Sequence, residues 1–547
     1  MVHIKTDSVG FSELLEVLVN RVKGNGCRPY SFIDPRQAQQ IANQVDDFAK
    51  EAKVVLPETK KPVDASRFHD TGVSLWAALY EAALRRIDPD VRGLSELKDY
   101  LDRFVRFEDL LYDAATRYRD HIIHSLWVLA LGDWCYGKFG TCGLDMMYTP
   151  LICSETREGA TDVVIGYPEA KAMTTACGAL SGSIEPISGR GWVRGLSDLY
   201  GLRDAIWASG ALLHDIGYPL EKIVDVDAQI RETLEYFGPF YPSALDYHWS
   251  PIQAQSLTRF CVLLSEVLHY PGSINELTGN TGTTGFHLEP EEYAASEASK
   301  SLEDREHGAL SAYLLYRLTR TFKRLYVSRS IGRNDAWWFR TFLAKQTILN
   351  GIISHSNKVR RYDFLPQFSA FLFLVDELED GNRIYKREGE KGYRVRPFGT
   401  EFGVARRKTG SEEREDQETL FIGVKVTDDF QPLSDKEARA EKPRKAFSSR
   451  FSKFFHFLNS NRVAATETPV VVRFEFNHTD TDSHYSSELQ FHGLDVNIVL
   501  DIKEKNTNPK LEDRLSVEKF FQEQGVHLMQ PWVLSSAWIT DPFDTNP

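Results

Sequence analysis

The sequence lacks an excess of positive charge. Its 547 residues include 65 Lys and Arg against 78 Asp and Glu, which gives a formal net charge of -13. Because binding to nucleic acid requires a basic face that displaces counterions from phosphates, this balance argues against a nucleic-acid scaffold. A small anionic ligand held by a metal ion remains compatible with it. We therefore expect a small-molecule partner and no strong nucleic-acid contact.

Cysteine is scarce as well, with six residues in the chain. No two of them form a CxxC pair, and their scatter does not suggest a disulfide framework, so we expect free thiols in a reducing compartment. The first ten residues show no basic-then-apolar signal segment. The longest apolar helix candidate, around residues 125–131, is far shorter than the roughly 20 residues that a membrane span needs. These absences predict a cytoplasmic protein without a membrane partner.

A chain of this length is too long for one compact core and should form two or three domains. The spacing of apolar residues predicts a mainly α-helical core at 104–385, with insertions near 140–201 and 271–290. It also predicts an N-terminal helical extension at 1–103. After about residue 380, β-branched residues and alternation predict a C-terminal α+β domain at 386–547 with a mostly antiparallel sheet.

Individual elements follow from the same patterns. The predicted helices of the core and the C-terminal domain are 104–131, 202–213, 252–269, 309–320, 337–354, 364–378 and about 517–524. The predicted strands are 393–396, 420–426, 470–476 and 496–502. The charged runs 406–418 and 434–445 are predicted to be mobile connections.

One dipeptide stands out. His214-Asp215 ends an apolar helical run and is followed at once by Gly217 and Pro219. An imidazole and a carboxylate at a helix end can both turn toward one divalent cation. About one His-Asp pair is expected by chance in such a chain. His69-Asp70 is such a pair, and its polar surroundings indicate a structural role at a helix start, with Asp70 or Thr71 as the cap.

Further candidate ligands recur along the helical core. His121 and His124 lie three residues apart on one predicted helix, and His124 is the preferred ligand of the two. Asp376 interrupts an apolar run, where an unpaired carboxylate is costly to bury, so it should have a cation partner. His307 at a helix start and His355 after an apolar run complete the set.

The order of these residues resembles the HD superfamily of metal-dependent phosphohydrolases over about residues 104–383. The runs 124–128 (HSLWV) and 213–217 (LHDIG) are similar to its first two motifs. The resemblance implies that His124, His214, Asp215 and Asp376 hold one divalent metal ion. Members with a second metal add two histidines, which implies the same role here for His307 and His355. Catalysis would then depend on His214, Asp215 and His307, with Asp215 bridging the two ions.

The resemblance implies hydrolysis at phosphorus by metal-activated water. Mixed nitrogen and oxygen ligands suit Mn, Fe, Zn or Ni better than Mg, with one or two ions per site. Candidate substrate-binding residues are His121, Arg119, Lys222 and Arg383.

The branch that hydrolyses deoxynucleoside triphosphates shares the HSLxV run and the nearby Pro, but it usually has Arg where this chain has His121. Its substrates are the favoured prediction. A cyclic nucleotide or cyclic oligonucleotide phosphodiesterase is the alternative enzyme. A nucleotide-sensing regulatory protein with an HD receptor core is the alternative class. By analogy, we also expect a homo-oligomer, and a regulatory nucleotide is a further candidate partner.

Overall fold

The fold is seen in a computed structural model that describes the larger part of the chain. The described residues are 11–55, 66–114, 120–141, 152–154, 202–222, 251–270, 287–290, 292–319, 336–356, 367–379, 384–385, 394–395, 400–409, 417–428, 444, 447–448, 451–452, 470–478, 483–492, 495–503, 510–511 and 514–523. Within these ranges the protein is mostly helical, with a mostly antiparallel sheet toward the C-terminus.

The N-terminal region consists of helices, as the apolar spacing predicts. They are α1 (Phe11–Lys23), α2 (Pro35–Val55), α3 (Ser66–Ile87) and α4 (Leu94–Ala114). In α3, the residues buried at intervals of three or four include Leu75 and Leu79, which gives the helix one apolar face. Helices α1 and α3 pack against the next helix, α5 (His121–Thr141). The packing there is close, since a Cβ on Gly72 would lie 2.1 Å from the Ile123 side chain.

Six further helices follow, among them those that carry or adjoin the candidate ligands. They are α6 (Arg203–Leu213), α7 (Pro251–Ser265), α8 (Glu292–Glu303), α9 (His307–Leu318), α10 (Ala336–His355) and α11 (Gln367–Leu378). Helix α6 packs on α3, α5 and α10, and α11 packs on α10 and α5. Trp207 is fully buried between α6 and α5, where a Cβ on Gly132 would meet its ring, and Phe368 fills the space left by Gly210 and Gly351. Trp127 of α5 is fully buried beside Phe48 of α2. These contacts bring the helix ends that carry His and Asp together.

Most strands lie in the C-terminal part. Six strands form one sheet in the order β11-β10-β9-β8-β7-β6. They are β6 (Thr400–Thr409), β7 (Gln417–Asp428), β8 (Val470–His478), β9 (Ser483–His492), β10 (Asp495–Lys503) and β11 (Lys510–Leu511). The β7–β8 pair is parallel and the other pairs are antiparallel. Helix α12 (Arg514–Glu523) contacts β10. The predicted mostly antiparallel character of this sheet is confirmed.

Two smaller sheets are also described. Strands β1 (Ile152–Ser154), β2 (Glu266–Tyr270) and β3 (His287–Pro290) pair in that order, β1 with β2 in parallel and β2 with β3 antiparallel. Strands β4 (Ile384–Tyr385) and β5 (Arg394–Val395) form an antiparallel pair. Among the described residues, no helix is long and apolar enough to cross a membrane.

The prediction of a single helix at 104–131 is wrong. Helix α4 ends at Ala114 and α5 begins at His121, with Asp120 outside both. The Asp120 carboxylate accepts a hydrogen bond of 2.6 Å from the Ile123 backbone N–H, which is the contact of an N-cap. This cap starts a new helix three residues before His124, in spite of the continuous apolar spacing.

Three other local predictions are corrected. The helix predicted over 252–269 ends at Ser265, because the residues after it pair with strands on both sides as β2. The prediction that the run 406–418 is a mobile connection is wrong at its two ends, which lie in β6 and β7, where the backbone of Lys408 pairs with that of Glu418. Asp70 and Thr71 do not cap a helix, since α3 begins earlier, at Ser66.

Candidate metal centre

Six predicted ligands converge at one place in the fold. They come from α5, from the turn after α6, from the first residue of α9, from the last residue of α10 and from α11: His124, His214, Asp215, His307, His355 and Asp376. All are buried or nearly so, apart from the partly exposed His307 and Asp376. The sequence places them as much as 252 positions apart, so the convergence is a property of the tertiary packing.

The first ligand group consists of His124, His214, Asp376 and the Oδ2 atom of Asp215. The Nε2 atoms of His124 and His214 lie 2.8 and 3.4 Å from Asp376 Oδ1. They lie 3.8 and 3.4 Å from Asp215 Oδ2. Atoms bound to one ion at about 2.0 to 2.2 Å are separated by roughly 2.8 to 3.6 Å. The spacing of this group is therefore close to that of ligands around a single cation.

The second ligand group consists of His307, His355 and the Oδ1 atom of Asp215. The two histidine Nε2 atoms are 3.1 Å apart. They lie 3.5 Å and 3.3 Å from Asp215 Oδ1. Asp215 thus presents one carboxylate oxygen to each group, as a ligand shared by two ions would.

Each histidine is fixed through its Nδ1 atom, which donates to an acceptor away from the centre. His214 donates to the Ala211 carbonyl at 2.8 Å, and His355 donates to the Ile352 carbonyl at 2.6 Å. Both acceptors lie one turn earlier on the helix that carries the histidine, so the helix itself sets the ring orientation. Because Nδ1 carries the proton, Nε2 presents a lone pair to the centre.

The other two histidines donate to carboxylates. His124 Nδ1 donates to Glu379, which is fully buried at the end of α11. His307 Nδ1 donates to Glu221 Oε2 at 2.7 Å, and the same oxygen accepts the His307 backbone N–H at 3.0 Å. A carboxylate behind an imidazole raises the basicity of the ring and fixes its tautomer, as in many metal sites.

The donor set fits a divalent cation. Lone pairs of His307 and His355 that face each other at 3.1 Å repel unless a positive charge lies between them. His214 Nε2 is buried and has no hydrogen-bond partner among the described residues, although it points into the first ligand group. An unsatisfied buried nitrogen of this kind is costly unless it binds an ion.

The pKa values of the buried groups also indicate that the site requires a positive charge. Burial disfavours the His214 imidazolium, but Asp215 and Asp376 raise the pKa of His214 to about 10. Burial opposes ionisation of Asp215 as well, yet His214, His355 and His307 hold the pKa of Asp215 well below its usual range. The same balance with His124 and His214 keeps the pKa of Asp376 low. In the absence of a metal, protons on imidazole supply the positive charge.

A close approach between the HD turn (residues 214–217) and α9 positions the second group. A Cβ on Gly217 would lie 2.4 Å from the Ser311 backbone nitrogen and 2.5 Å from the His307 carbonyl oxygen. The Gly217 N–H also donates to the Ser311 hydroxyl at 2.7 Å. Only glycine allows the turn to lie this close to the start of α9, where His307 is located.

Two of the four predicted substrate-binding residues, His121 and Lys222, lie among the described residues. His121 is buried and its ring packs on Tyr218, with centroids 3.8 Å apart. Lys222 Nζ lies 5.2 Å from the centre of the Tyr218 ring, whose other contacts include His307 at 5.9 Å between centroids. His121 and Lys222 thus both lie against Tyr218, whose ring also contacts His307. Two further candidates, Arg119 and Arg383, lie outside the described residues.

Sequence reasoning missed Glu379, Glu221 and Tyr218. Glu379 follows Asp376 by three residues, so it shares a helix face with a predicted ligand, and this spacing could have identified it. Glu221 is bonded to a residue 86 positions away and has no local pattern that would reveal it. Comparison with protein-family models, with curated proteins and with solved structures finds no match, so the resemblance to the HD superfamily depends on the residues described above.

Proposed function

We propose that this protein is a metal-dependent phosphohydrolase that acts on nucleotides, with deoxynucleoside triphosphates as the favoured substrates. The observation that carries the proposal is the position of Asp215, whose two oxygens face two groups of histidine Nε2 atoms. Imidazole and carboxylate ligands of this kind suit Mn, Fe, Zn or Ni, and Mg less well. The preference for deoxynucleoside triphosphates depends on the motif resemblance alone.

A divalent cation bound at such ligands polarises a phosphoryl oxygen and lowers the pKa of water toward neutrality. The protein supplies fixed ligand directions, because Glu379 and Glu221 hold the rings of His124 and His307. It also leaves one side accessible. The His307 side chain is 25% exposed, whereas that of His124 is fully buried, so a substrate reaches the centre from the His307 side.

Lys222 is the described cation best placed to meet a phosphate on that side. It belongs to a helical segment, 218–222, that follows the HD turn and also carries Glu221. Burial raises the pKa of Glu221, but His307 and then Lys222 lower it below its ordinary value. A lysine beside the Tyr218 ring, which itself contacts His307, attracts an incoming polyphosphate as a point charge. We assign it to the phosphate side of the substrate.

A cyclic nucleotide or cyclic oligonucleotide phosphodiesterase is the second candidate function. The specific observation in its favour is that His307 and His355 both join the centre, with Nε2 atoms 3.1 Å apart. Two adjacent ions can stabilise both the attacking and the leaving oxygen of a diester. The same ligand set serves a triphosphate, so the substrate has to be found by experiment.

The test is turnover of a panel of deoxynucleoside triphosphates and cyclic nucleotides with Mn²⁺, measured for wild type and Asp215→Ala. We expect release of triphosphate from the deoxynucleotides, or of linear monophosphates from cyclic ones under the second candidate, and no turnover in Asp215→Ala. Asp70→Ala is the matched control, because Asp70 also follows a histidine but lies exposed on α3. Unchanged turnover in Asp215→Ala would refute the site. Binding without turnover in the wild type would favour a nucleotide sensor.

A further inference from the structure

Side chains of the N-terminal helices donate hydrogen bonds to the backbone of the HD turn and of the residue pair before it. The indole N–H of Trp76, on α3, donates to the Leu212 carbonyl at 2.7 Å. The hydroxyl of Tyr100, on α4, donates to the Ile216 carbonyl at 2.6 Å. The last carbonyls of a helix have no partner within the helix, so a buried helix end needs donors from elsewhere. Here Trp76 supplies a donor to the end of α6, and Tyr100 supplies one to the turn that follows it.

These two bonds bracket the ligand pair in the sequence. Leu212 lies two residues before His214, and Ile216 is the residue directly after Asp215. Helix α9 also fixes the turn, because the Ser311 hydroxyl accepts the Gly217 N–H. The backbone that carries both ligands is therefore anchored by three side chains, those of Trp76, Tyr100 and Ser311. Ligand positions at a metal site must be held within about 0.5 Å, which requires anchors of this kind.

The geometry points to Tyr100 and Trp76 as positioning residues of the metal centre: they hold His214 and Asp215 in place through the backbone of the HD turn. This inference rests on the proposed function, because it assigns to the N-terminal helices a part in forming the site. Both side chains suit the task. Trp76 is 2% exposed, and burial raises the pKa of Tyr100, so its hydroxyl remains a donor throughout the neutral range.

The test compares the full-length Tyr100→Phe variant with Tyr80→Phe and wild type. Tyr80 is buried on α3 beside Trp76, and its hydroxyl has no hydrogen bond among the described residues. Mn²⁺ binding is measured by titration calorimetry without nucleotide, and the melting temperature of each metal-free protein is recorded. We expect Tyr100→Phe to bind Mn²⁺ about 10-fold more weakly, the lower end of the effect of losing an outer support of a ligand. Tyr80→Phe should bind like wild type.

A second readout separates positioning from general stability. Where the wild type turns nucleotide over, excess Mn²⁺ should restore the kcat of Tyr100→Phe, since the loss lies in ion binding. Equal Mn²⁺ affinity in Tyr100→Phe and wild type, or an equal loss in Tyr80→Phe, would overturn the inference while leaving the proposed function intact. A weakened Tyr100→Phe beside a wild type that binds Mn²⁺ but hydrolyses nothing would support the inference and overturn the function. A wild type that binds no Mn²⁺ would overturn both.

Discussion

Replacement of Glu379 by Gln tests the first ligand group most sharply. Glu379 is fully buried and accepts the Nδ1–H of His124. Gln has nearly the same volume and can still accept this hydrogen bond through its amide oxygen, but it carries no charge. A hydrogen bond to a charged group contributes about 1.5 to 3 kcal/mol and a neutral one about 0.5 to 1.5 kcal/mol. The difference, about 1 to 1.5 kcal/mol, corresponds to roughly 10-fold in Mn²⁺ affinity.

The assay is Mn²⁺ titration of the full-length protein at pH 7.5, beside the control Glu377→Gln. Glu377 is a half-buried acidic residue at the end of α11, two positions before Glu379, so its replacement removes the same charge and leaves the partner of His124 Nδ1 in place. We expect a 10-fold weaker affinity for Glu379→Gln and an unchanged one for the control. An affinity of Glu379→Gln within twofold of wild type, or an equal loss in both variants, would refute the argument that the Glu379 charge supports His124.

Three further predictions concern stability and the turn. Burial raises the pKa of Asp204, but Arg21, at 2.8 Å, lowers this pKa below its ordinary value. Ionised Asp204 therefore stabilises the folded state at pH values above the unfolded pKa of about 3.9. This stabilisation is lost as the pH falls through the lower pKa of the folded state. Arg21→Met should destabilise by about 3 kcal/mol at pH 7, less below pH 4. Lys345→Met should cost about 3 to 5 kcal/mol in urea unfolding, because it leaves Asp88 buried without the Lys345 ion pair. Gly217→Ala should abolish Mn²⁺ binding in calorimetry, since its Cβ meets the backbone of α9.

Each of these has a result that would contradict it. A gap between Arg21→Met and wild type that stays constant from pH 7 to pH 3 would exclude the charge interaction as its source. An unfolding free energy of Lys345→Met within 1 kcal/mol of wild type would show that Asp88 finds other compensation. Full Mn²⁺ binding by Gly217→Ala would mean that the turn can move away from α9 without moving its ligands.

Four of the six candidate ligands could be proposed from the sequence because each conflicts with its local pattern. Asp376 and His355 interrupt or end apolar runs, and His214-Asp215 ends one. Charged or polar groups in such places need a partner, which points to a shared site. The helices that carry them were predicted from the same apolar spacing, although the one that carries His124 was predicted as part of a longer helix at 104–131. The choice of His124 over His121 agrees with their placement, since His124 faces Asp376 and His121 packs on Tyr218.

The supports of the site could not be predicted in the same way. Trp76 and Tyr100 reach carbonyls that are 136 and 116 residues away, and a backbone acceptor leaves no mark on the sequence. The break between α4 and α5 was missed because Asp120, a cap, stands within continuous apolar spacing. Strand β6 was missed in part because its charged residues resemble a solvated loop until β7 pairs with them. In each case a tertiary contact outweighs the local pattern.

The most direct test of the metal centre is anomalous diffraction from crystals grown with Mn²⁺. We expect one peak among His124, His214 and Asp376, and a second peak between His307, His355 and Asp215 Oδ1. Ordered side chains at these positions with no anomalous peak, at Mn²⁺ concentrations that saturate any binding seen by calorimetry, would contradict it.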